Sequence, residues 1–92
     1  MIVKLYCIAD TKNYGDYGKK NPVVIEEYTF DSNDTDDCDS VEEYAPNGEA
    51  LTSDNFELSC INFLFEDIDW AQRLIPFIIL TEAQITILKL KI

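Results

Sequence analysis

The chain has 92 residues, a formal net charge of −11 at pH 7 and an apolar content of 47%. This length indicates one small domain over residues 1–92, and the apolar content excludes a chain that is disordered throughout. The sequence begins without a signal-peptide pattern, and no apolar run approaches the about 20 residues of a membrane span, so we expect a cytoplasmic protein without membrane contact.

The N-terminal part of the chain predicts two β-strands. Residues 2–9 and 23–30 are rich in β-branched and aromatic side chains, which favour strands. The polar segment 10–21 between them predicts a loop, with Tyr14 and Tyr17 at its tip. We therefore expect the two strands to form a hairpin across this long loop.

The middle of the chain is polar and acidic. Residues 31–43 contain few apolar side chains and predict an exposed loop or a sheet edge. Pro46, Asn47 and Gly48 predict a turn, in which Gly48 adopts a positive φ.

Residues 56–65 are ambiguous between a helix and a buried strand. Phe56, Cys60 and Leu64 recur at helical spacing, and Thr52 or Ser53 is placed to cap the start of a helix. We favour a helix over 66–75, ended by Pro76 because a proline disfavours helical backbone in the residue before it.

The C-terminal part predicts one strand followed by one helix. Residues 77–80 are apolar and short, as in a buried strand. Thr81 and Gln84 have the spacing of a capping box, and Ile85 and Leu88 then share a helical face. A strand in which Leu88, Leu90 and Ile92 alternate with lysines remains the alternative. The fold class is α+β, with an N-terminal β-hairpin or short antiparallel sheet and one or two C-terminal helices.

The acidic residues are unevenly distributed. Residues 21–72 contain fifteen Asp and Glu residues and neither Lys nor Arg, whereas the segments on both sides of this region are slightly basic. Surfaces that serve solubility alone usually mix both signs, and repulsion among unpaired acids lowers the stability of the folded state. The pattern therefore indicates a positively charged partner or a cation.

The residue types that carry most enzymatic chemistry are absent or isolated. The chain has no His, its three glycines stand apart, and Cys7, Cys38 and Cys60 form no metal-binding pair. These absences exclude Ser–His and Cys–His nucleophiles, a phosphate-binding glycine loop and a zinc centre. We expect no enzymatic activity, no cofactor and no bound metal.

Residues 31–42 approach the spacing of a calcium-binding loop. Oxygen-bearing side chains occupy the ligand positions of a twelve-residue loop, in the order Asp31, Asn33, Thr35, Asp37, Asp39 and Glu42. The match fails at Asp36, which stands where the sharp turn of such a loop requires glycine. The segment before it also predicts a strand rather than a helix.

The acidic segment suits contact with a basic groove. Alternate residues of an extended strand lie about 6.6 Å apart on one face, which is comparable with the distance between neighbouring phosphates. Asp34 and Asp36, with Glu26 on the preceding strand, then form a ladder of charges, and exposed tyrosines supply contact energy among them. The candidate partner-binding residues are Glu26, Glu27, Tyr28, Asp31, Asp34, Asp36, Asp37, Asp39, Glu42, Glu43 and Tyr44. Helical acid pairs, such as Asp54 with Glu57, are a further option.

In size, charge and lack of catalytic residues, the chain resembles the small acidic inhibitors of phages and other mobile elements, which include DNA-mimic anti-restriction and anti-CRISPR proteins. No motif carries this resemblance, so no residue role is transferred. It implies an inhibitor in the host cytoplasm that occupies the basic site of a nuclease or effector complex and does not itself bind nucleic acid.

Two alternatives remain open. One is an acidic immunity protein or antitoxin for a basic nuclease toxin, which binds by the same charge complementarity. The other is a structural or adaptor protein whose acids only confer solubility and whose apolar residues 75–92 form a homodimer interface. Binding through charges weakens as salt rises, whereas binding through an apolar interface does not.

Overall fold

The structure, a computed structural model, describes residues 1–68 and 74–90. In chain order the elements are β1 (Ile2–Asp10), α1 (Gly15–Lys20), β2 (Val23–Asp31), α2 (Thr35–Val41), α3 (Phe56–Asp67), β3 (Phe77–Thr81) and α4 (Glu82–Leu90). Short 3₁₀ segments at Glu42–Tyr44 and Pro46–Gly48 follow α2. The predicted α+β class is confirmed. None of the described helices combines the length and the apolar character that crossing a membrane requires.

The three strands form an antiparallel sheet with β1 in the centre, between β2 and β3. At one end of the β1–β2 pair, the backbone N–H of Thr11 donates to the carbonyl of Pro22 at 3.0 Å. At the other end, the N–H of Ser32 donates to the carbonyl of Met1 at 2.9 Å. The predicted pairing of the first two strands is therefore confirmed.

The backbone divides into two compact units. The acidic unit consists of Met1–Val3 and Thr29–Asp67, and it contains twelve acids and no Lys or Arg. The near-neutral unit consists of Lys4–Tyr28 and Ile68–Ile92, and its sequence contains six acids and seven basic residues. Both β1 and β2 contribute residues to each unit, and the expectation of one domain over 1–92 stays a prediction.

The core of the acidic unit is built on α3. Phe56, Cys60 and Leu64 are buried on one side of this helix, and Val41 of α2 is buried in the same unit. The side chain of Phe63 extends the core, because its ring meets those of Phe30 and Tyr44 edge-on, with centroids 6.0 and 5.6 Å apart. Residues 56–65, which the sequence left ambiguous between a helix and a strand, are therefore helical.

A reciprocal pair of hydrogen bonds starts α3. The side-chain oxygen of Asn55 accepts from the backbone N–H of Thr52 at 2.8 Å, and the hydroxyl of Thr52 accepts from the N–H of Asn55 at 3.4 Å. The amide nitrogen of Asn55 also donates to the carbonyl of Ala50 at 2.9 Å. Thr52 was expected to cap the start of the helix, and it shares this role with the buried Asn55.

Helix α3 ends at Asp67, so the predicted helix over 66–75 is confirmed for Glu66 and Asp67 and is wrong at Ile68 and Ile75, which are not helical. Glu66 and Asp67 lie in the last turn, where the helix dipole disfavours negative charge. Leu74 has a φ of 58°, which is not helical, and residues 69–73 lie outside the described residues. Between α2 and α3 the predicted turn is confirmed, with φ values of 58° at Asn47 and 70° at Gly48.

The near-neutral unit buries Leu5, Cys7 and Ala9 of β1, together with Ile85 of α4. The predicted strand at 77–80 is confirmed as β3. The capping box is also confirmed, because the N–H of Thr81 donates to Gln84 Oε1 at 2.8 Å and the N–H of Gln84 donates to Thr81 Oγ1 at 3.3 Å. Helix α4 therefore replaces the strand alternative over 82–90, and Ile92 lies outside the described residues.

The predicted loop at 10–21 contains the short helix α1. This helix packs directly on the backbone of Thr11, since a Cβ atom at Gly18 would lie 1.8 Å from the Thr11 carbonyl oxygen. The buried Thr11 hydroxyl donates to the carbonyl of Asn21 and closes the segment. Tyr14 and Tyr17 remain exposed, with their rings edge-on and 5.9 Å apart.

Candidate partner-binding surface

The acidic segment 31–43 is not a loop but the end of β2, helix α2 and a 3₁₀ turn. Asp34 caps α2, because its carboxylate accepts the backbone N–H groups of Asp36 at 2.9 Å and Asp37 at 3.3 Å. Acids in the first helical turn are favoured by the helix dipole. The fully buried Val41 then ties the helix to the core of the acidic unit. The cap, the helix dipole and the burial of Val41 together explain why this segment is helical although it contains few apolar residues.

The proposed ladder of charges on an extended strand is therefore wrong. Residues of an α-helix rise only 1.5 Å each and turn by about 100°, so Asp34 and Asp36 do not project in parallel as they would from a strand. Two further acids also hold backbone groups. Asp37 accepts the N–H of Asp31 at 2.8 Å, and Asp31 accepts the N–H of Asn33 at 2.9 Å. Asp31, Asp34 and Asp37 thus support the local fold as well as contributing charge.

Four other acids form what we name the acidic stripe: Asp36, Asp39, Glu42 and Glu43. All four are exposed, and they fall within an arc of about 120° on one side of the helical run. Helical neighbours three or four positions apart have Cβ atoms about 5–6 Å apart. Within the described part of the chain, no hydrogen bond or ion pair engages their carboxylates. The stripe is therefore available to an external cation or basic side chain.

The candidate residues of β2 are placed differently. Glu26 and Tyr28 are half-buried on the side of β2 that also carries the buried Phe30, and Tyr28 donates its hydroxyl proton to Glu26 at 2.5 Å. Burial and the charge of Glu26 raise the pKa of the Cys7 thiol to about 11. Glu27 is exposed on the other side of β2. Glu26, Glu27 and Tyr28 belong to the near-neutral unit, whereas the other candidate residues belong to the acidic unit.

Tyr44 is a packing residue rather than an exposed anchor. It is half-buried, with its ring edge-on to Phe63, and its backbone carbonyl accepts a hydrogen bond from the side chain of Asn62 at 3.0 Å. These contacts link the 3₁₀ turn to α3 within the acidic unit. Part of the Tyr44 ring therefore packs within the protein, whereas the sequence predicted an exposed ring.

Acids outside the predicted site extend the charged surface. The exposed acids of the acidic unit are Asp34, Asp36, Asp39, Glu42, Glu43, Glu49, Asp54, Glu57, Glu66 and Asp67. The last five were not among the candidate partner-binding residues, although Asp54 and Glu57 were named as a further option. The sequence did contain a signal for these five acids, because all of them lie within residues 21–72, which contain no Lys or Arg.

The thiol of Cys60 is fully buried in the acidic unit, and its pKa is raised. Burial is the main cause that raises its pKa to about 12, and the charges of Asp37 and Glu57 and the nearby Cys38 add to the increase. Cys38 is half-buried and donates its thiol proton to the carbonyl of Ser32 at 3.1 Å. A thiol with so high a pKa is a poor nucleophile, because the thiolate is the reactive form.

The six positions with calcium-loop spacing do not form a loop. Thr35 begins α2, and Asp31 and Asp37 face backbone N–H groups. Over residues 1–68 and 74–90, no group of three or more His, Cys, Asp or Glu side chains has the geometry to hold a metal ion.

What the acidic unit offers chemically is a concentration of carboxylates on an ordered helical scaffold. Carboxylates accept bidentate hydrogen bonds from arginine and pair with lysine, as phosphates do. Comparison of the chain with protein-family models, with curated proteins and with solved structures finds no match.

Proposed function

We propose that the protein is an acidic inhibitor that occupies the basic site of a nucleic-acid-binding protein, in the manner of a DNA mimic. The observation that carries this proposal is the segregation of charge between the two units. The acidic unit contains twelve acids and no basic residue, whereas the near-neutral unit contains six acids and seven basic residues.

A need for solubility alone does not account for this segregation. Mixed charges keep a surface hydrated without strong repulsion, whereas a surface of one sign destabilises the compact state. Within the described residues, the ion pairs Lys12–Asp10 and Lys19–Asp16 both belong to the near-neutral unit. A basic partner would relieve the repulsion among the acids of the other unit.

The acidic stripe is the part of this surface best suited to a basic groove. Its side chains are exposed on one side of α2 and the 3₁₀ turn that follows it, and helical neighbours among them have Cβ atoms about 5–6 Å apart. A groove that binds nucleic acid clusters Lys and Arg to neutralise closely spaced phosphates. Because the backbone of the stripe is already helical, binding does not have to order it.

The first experiment is a pull-down with the tagged protein from a lysate of the cells in which it occurs, at about 50 mM and about 500 mM salt. We expect a basic nucleic-acid-binding protein at low salt, its loss at high salt, and its release by added duplex DNA. Recovery of no basic protein would contradict the proposal. A captured nuclease toxin that binds DNA and this protein together would favour an immunity protein instead.

A matched pair of variants tests the role of the stripe. Asp39→Asn with Glu43→Gln removes two charges from the stripe, and Asp16→Asn with Glu82→Gln removes two exposed acids from the near-neutral unit. Both variants change the net charge equally. We expect the first to weaken binding by about tenfold and the second by less than about threefold. Equal effects would show that only net charge matters and would remove the stripe from the proposal.

A further inference from the structure

The sheet has a second face, which carries apolar side chains that remain accessible. Leu5, Cys7 and Ala9 of β1 are buried, so the residues between them point to the opposite face. In the register of β1 with β3, Ile8 pairs with Ile78 and Tyr6 pairs with Leu80. Residues paired across two strands share a face, so these four side chains lie together on the face opposite the buried one.

Strand β2 continues this face on the other side of β1. The hydrogen bonds from Thr11 to Pro22 and from Ser32 to Met1 fit one continuous antiparallel register, which places Ile8 opposite Ile25. The same register places Cys7 opposite Glu26, in agreement with the effect of Glu26 on the Cys7 thiol. Ile25, Ile8 and Ile78 therefore form one row across all three strands.

We name these residues, with Val23 beside Ile25, the isoleucine face: Val23, Ile25, Tyr6, Ile8, Ile78 and Leu80. Val23 is 58% exposed, and Ile25 and Ile78 are each 53% exposed. A recess of about 410 Å³ adjoins the row, with Val23, Ile8 and Ile78 among its lining residues. These side chains form a contiguous and accessible apolar surface on one side of the sheet.

We propose that the isoleucine face binds a second copy of this chain. Charges of both signs lie beside this face. Lys4 and Glu27 are exposed on the same side of the sheet, and Asp10 pairs with Lys12 at 3.5 Å. They favour a partner that also carries both signs. A two-fold axis places the same surface on both partners, so each lysine can meet an acid of the other copy. A strongly basic partner would instead be attracted to the acidic unit.

Sheets pack face to face at about 10 Å through β-branched and aromatic side chains, which are the types found here. The face measures about 14 by 17 Å, as estimated from strand spacing and rise per residue. This is well below the about 800 Å² per partner of a standard interface. We therefore infer a weak, reversible dimer. Because each copy carries a charge of −11, added salt should strengthen it by screening repulsion.

Sedimentation velocity of the purified chain, from about 10 µM to about 1 mM, tests this proposal. We expect a concentration-dependent dimer whose dissociation constant rises at least threefold in Ile25→Thr and in Ile78→Thr. The matched control is Ile87→Thr, since Ile87 is 55% exposed on α4, and it should leave the dimer unchanged. A wild-type chain that stays monomeric throughout would overturn the proposal, and so would equal effects of Ile25→Thr and Ile87→Thr.

An experiment on the wild-type chain does not depend on the folding of any variant. On dilution, the methyl signals of Ile8, Ile25 and Ile78 in NMR spectra should shift together, while those of Ile87 stay constant. Shifts confined to other residues would contradict the proposal. Neither experiment contains a basic partner, so the dimer proposal and the inhibitor proposal can be contradicted independently of each other. Added salt should strengthen the dimer and weaken binding of the partner.

Discussion

The carboxylate of Asp37 accepts a hydrogen bond from the backbone N–H of Asp31 at 2.8 Å, and thereby ties the start of α2 to the last residue of β2. Both residues were expected to face a partner. Loss of this bond leaves a half-buried N–H group without its acceptor. We expect Asp37→Ala to lower the free energy of unfolding by about 1–2 kcal/mol, as measured by urea denaturation.

Asp39→Ala is the matched control for this prediction. Asp39 is exposed on the same helix and accepts no hydrogen bond within the described residues, so its removal should change stability by less than about 0.5 kcal/mol. Equal losses in the two variants would show that the bond between Asp37 and Asp31 contributes nothing specific.

The strands and the last helix could be predicted because their signals are local. Alternating burial in β1 and β2 follows from β-branched and aromatic residues, and Thr81 and Gln84 have the spacing of a capping box. Helix α2 was missed because its apolar content is low, although Asp34 followed by acids in the next turn is itself a signal for a helix start. Helix α1 was missed because it depends on the close approach of Gly18 to Thr11, which no local pattern reveals.

The sequence predicted the concentration of charge but not the separate roles of the acids. Asp36 and Asp37 are neighbours of the same type, yet one is exposed on the stripe and the other accepts a backbone N–H. This difference depends on the path of the chain after β2. The burial of Glu26 and Tyr28 was missed for a similar reason, because alternation defines two faces of a strand without showing which one is covered.

Gly18 is expected to be essential for the packing of α1. A Cβ atom there would lie 1.8 Å from the carbonyl oxygen of Thr11, so the backbone must move to accept it. We expect Gly18→Ala to lower the free energy of unfolding by about 3 kcal/mol or more, as measured by thermal or urea denaturation.

Gly15→Ala separates this steric effect from conformational strain. Gly15 has a φ of 55° but no atom within 4 Å of an added Cβ, so alanine there should cost only about 1 kcal/mol. If Gly18→Ala were no more destabilising than Gly15→Ala, this result would contradict the close packing of α1 on Thr11.

The three thiols should differ in reactivity. Cys38 is half-buried, whereas Cys7 and Cys60 are fully buried and have pKa values raised to about 11 and about 12. Iodoacetamide at about pH 8 should therefore modify Cys38 first, as followed by mass spectrometry of digested peptides. Modification of Cys60 before Cys38 would contradict the burial described for α3.

The same thiols should make the protein less stable in alkali. Their folded-state pKa values lie above the ordinary value of 9.0, so the unfolded chain releases these protons first as pH rises. Their contribution to stability is complete below about pH 9 and is lost progressively toward about pH 12. We expect urea denaturation at several pH values to show a smaller alkaline loss of stability in Cys60→Ala than in the wild type. An identical pH dependence would contradict this assignment.

The most direct test of the inhibitor proposal is competition for the isolated partner. A labelled DNA duplex bound to that partner should be released stoichiometrically by the wild-type protein, as followed by fluorescence anisotropy. The Asp39→Asn, Glu43→Gln variant should require about tenfold more protein, and the Asp16→Asn, Glu82→Gln control should behave as the wild type. Simultaneous binding of duplex and protein to the partner would contradict the proposal that the acidic unit occupies a basic nucleic-acid site.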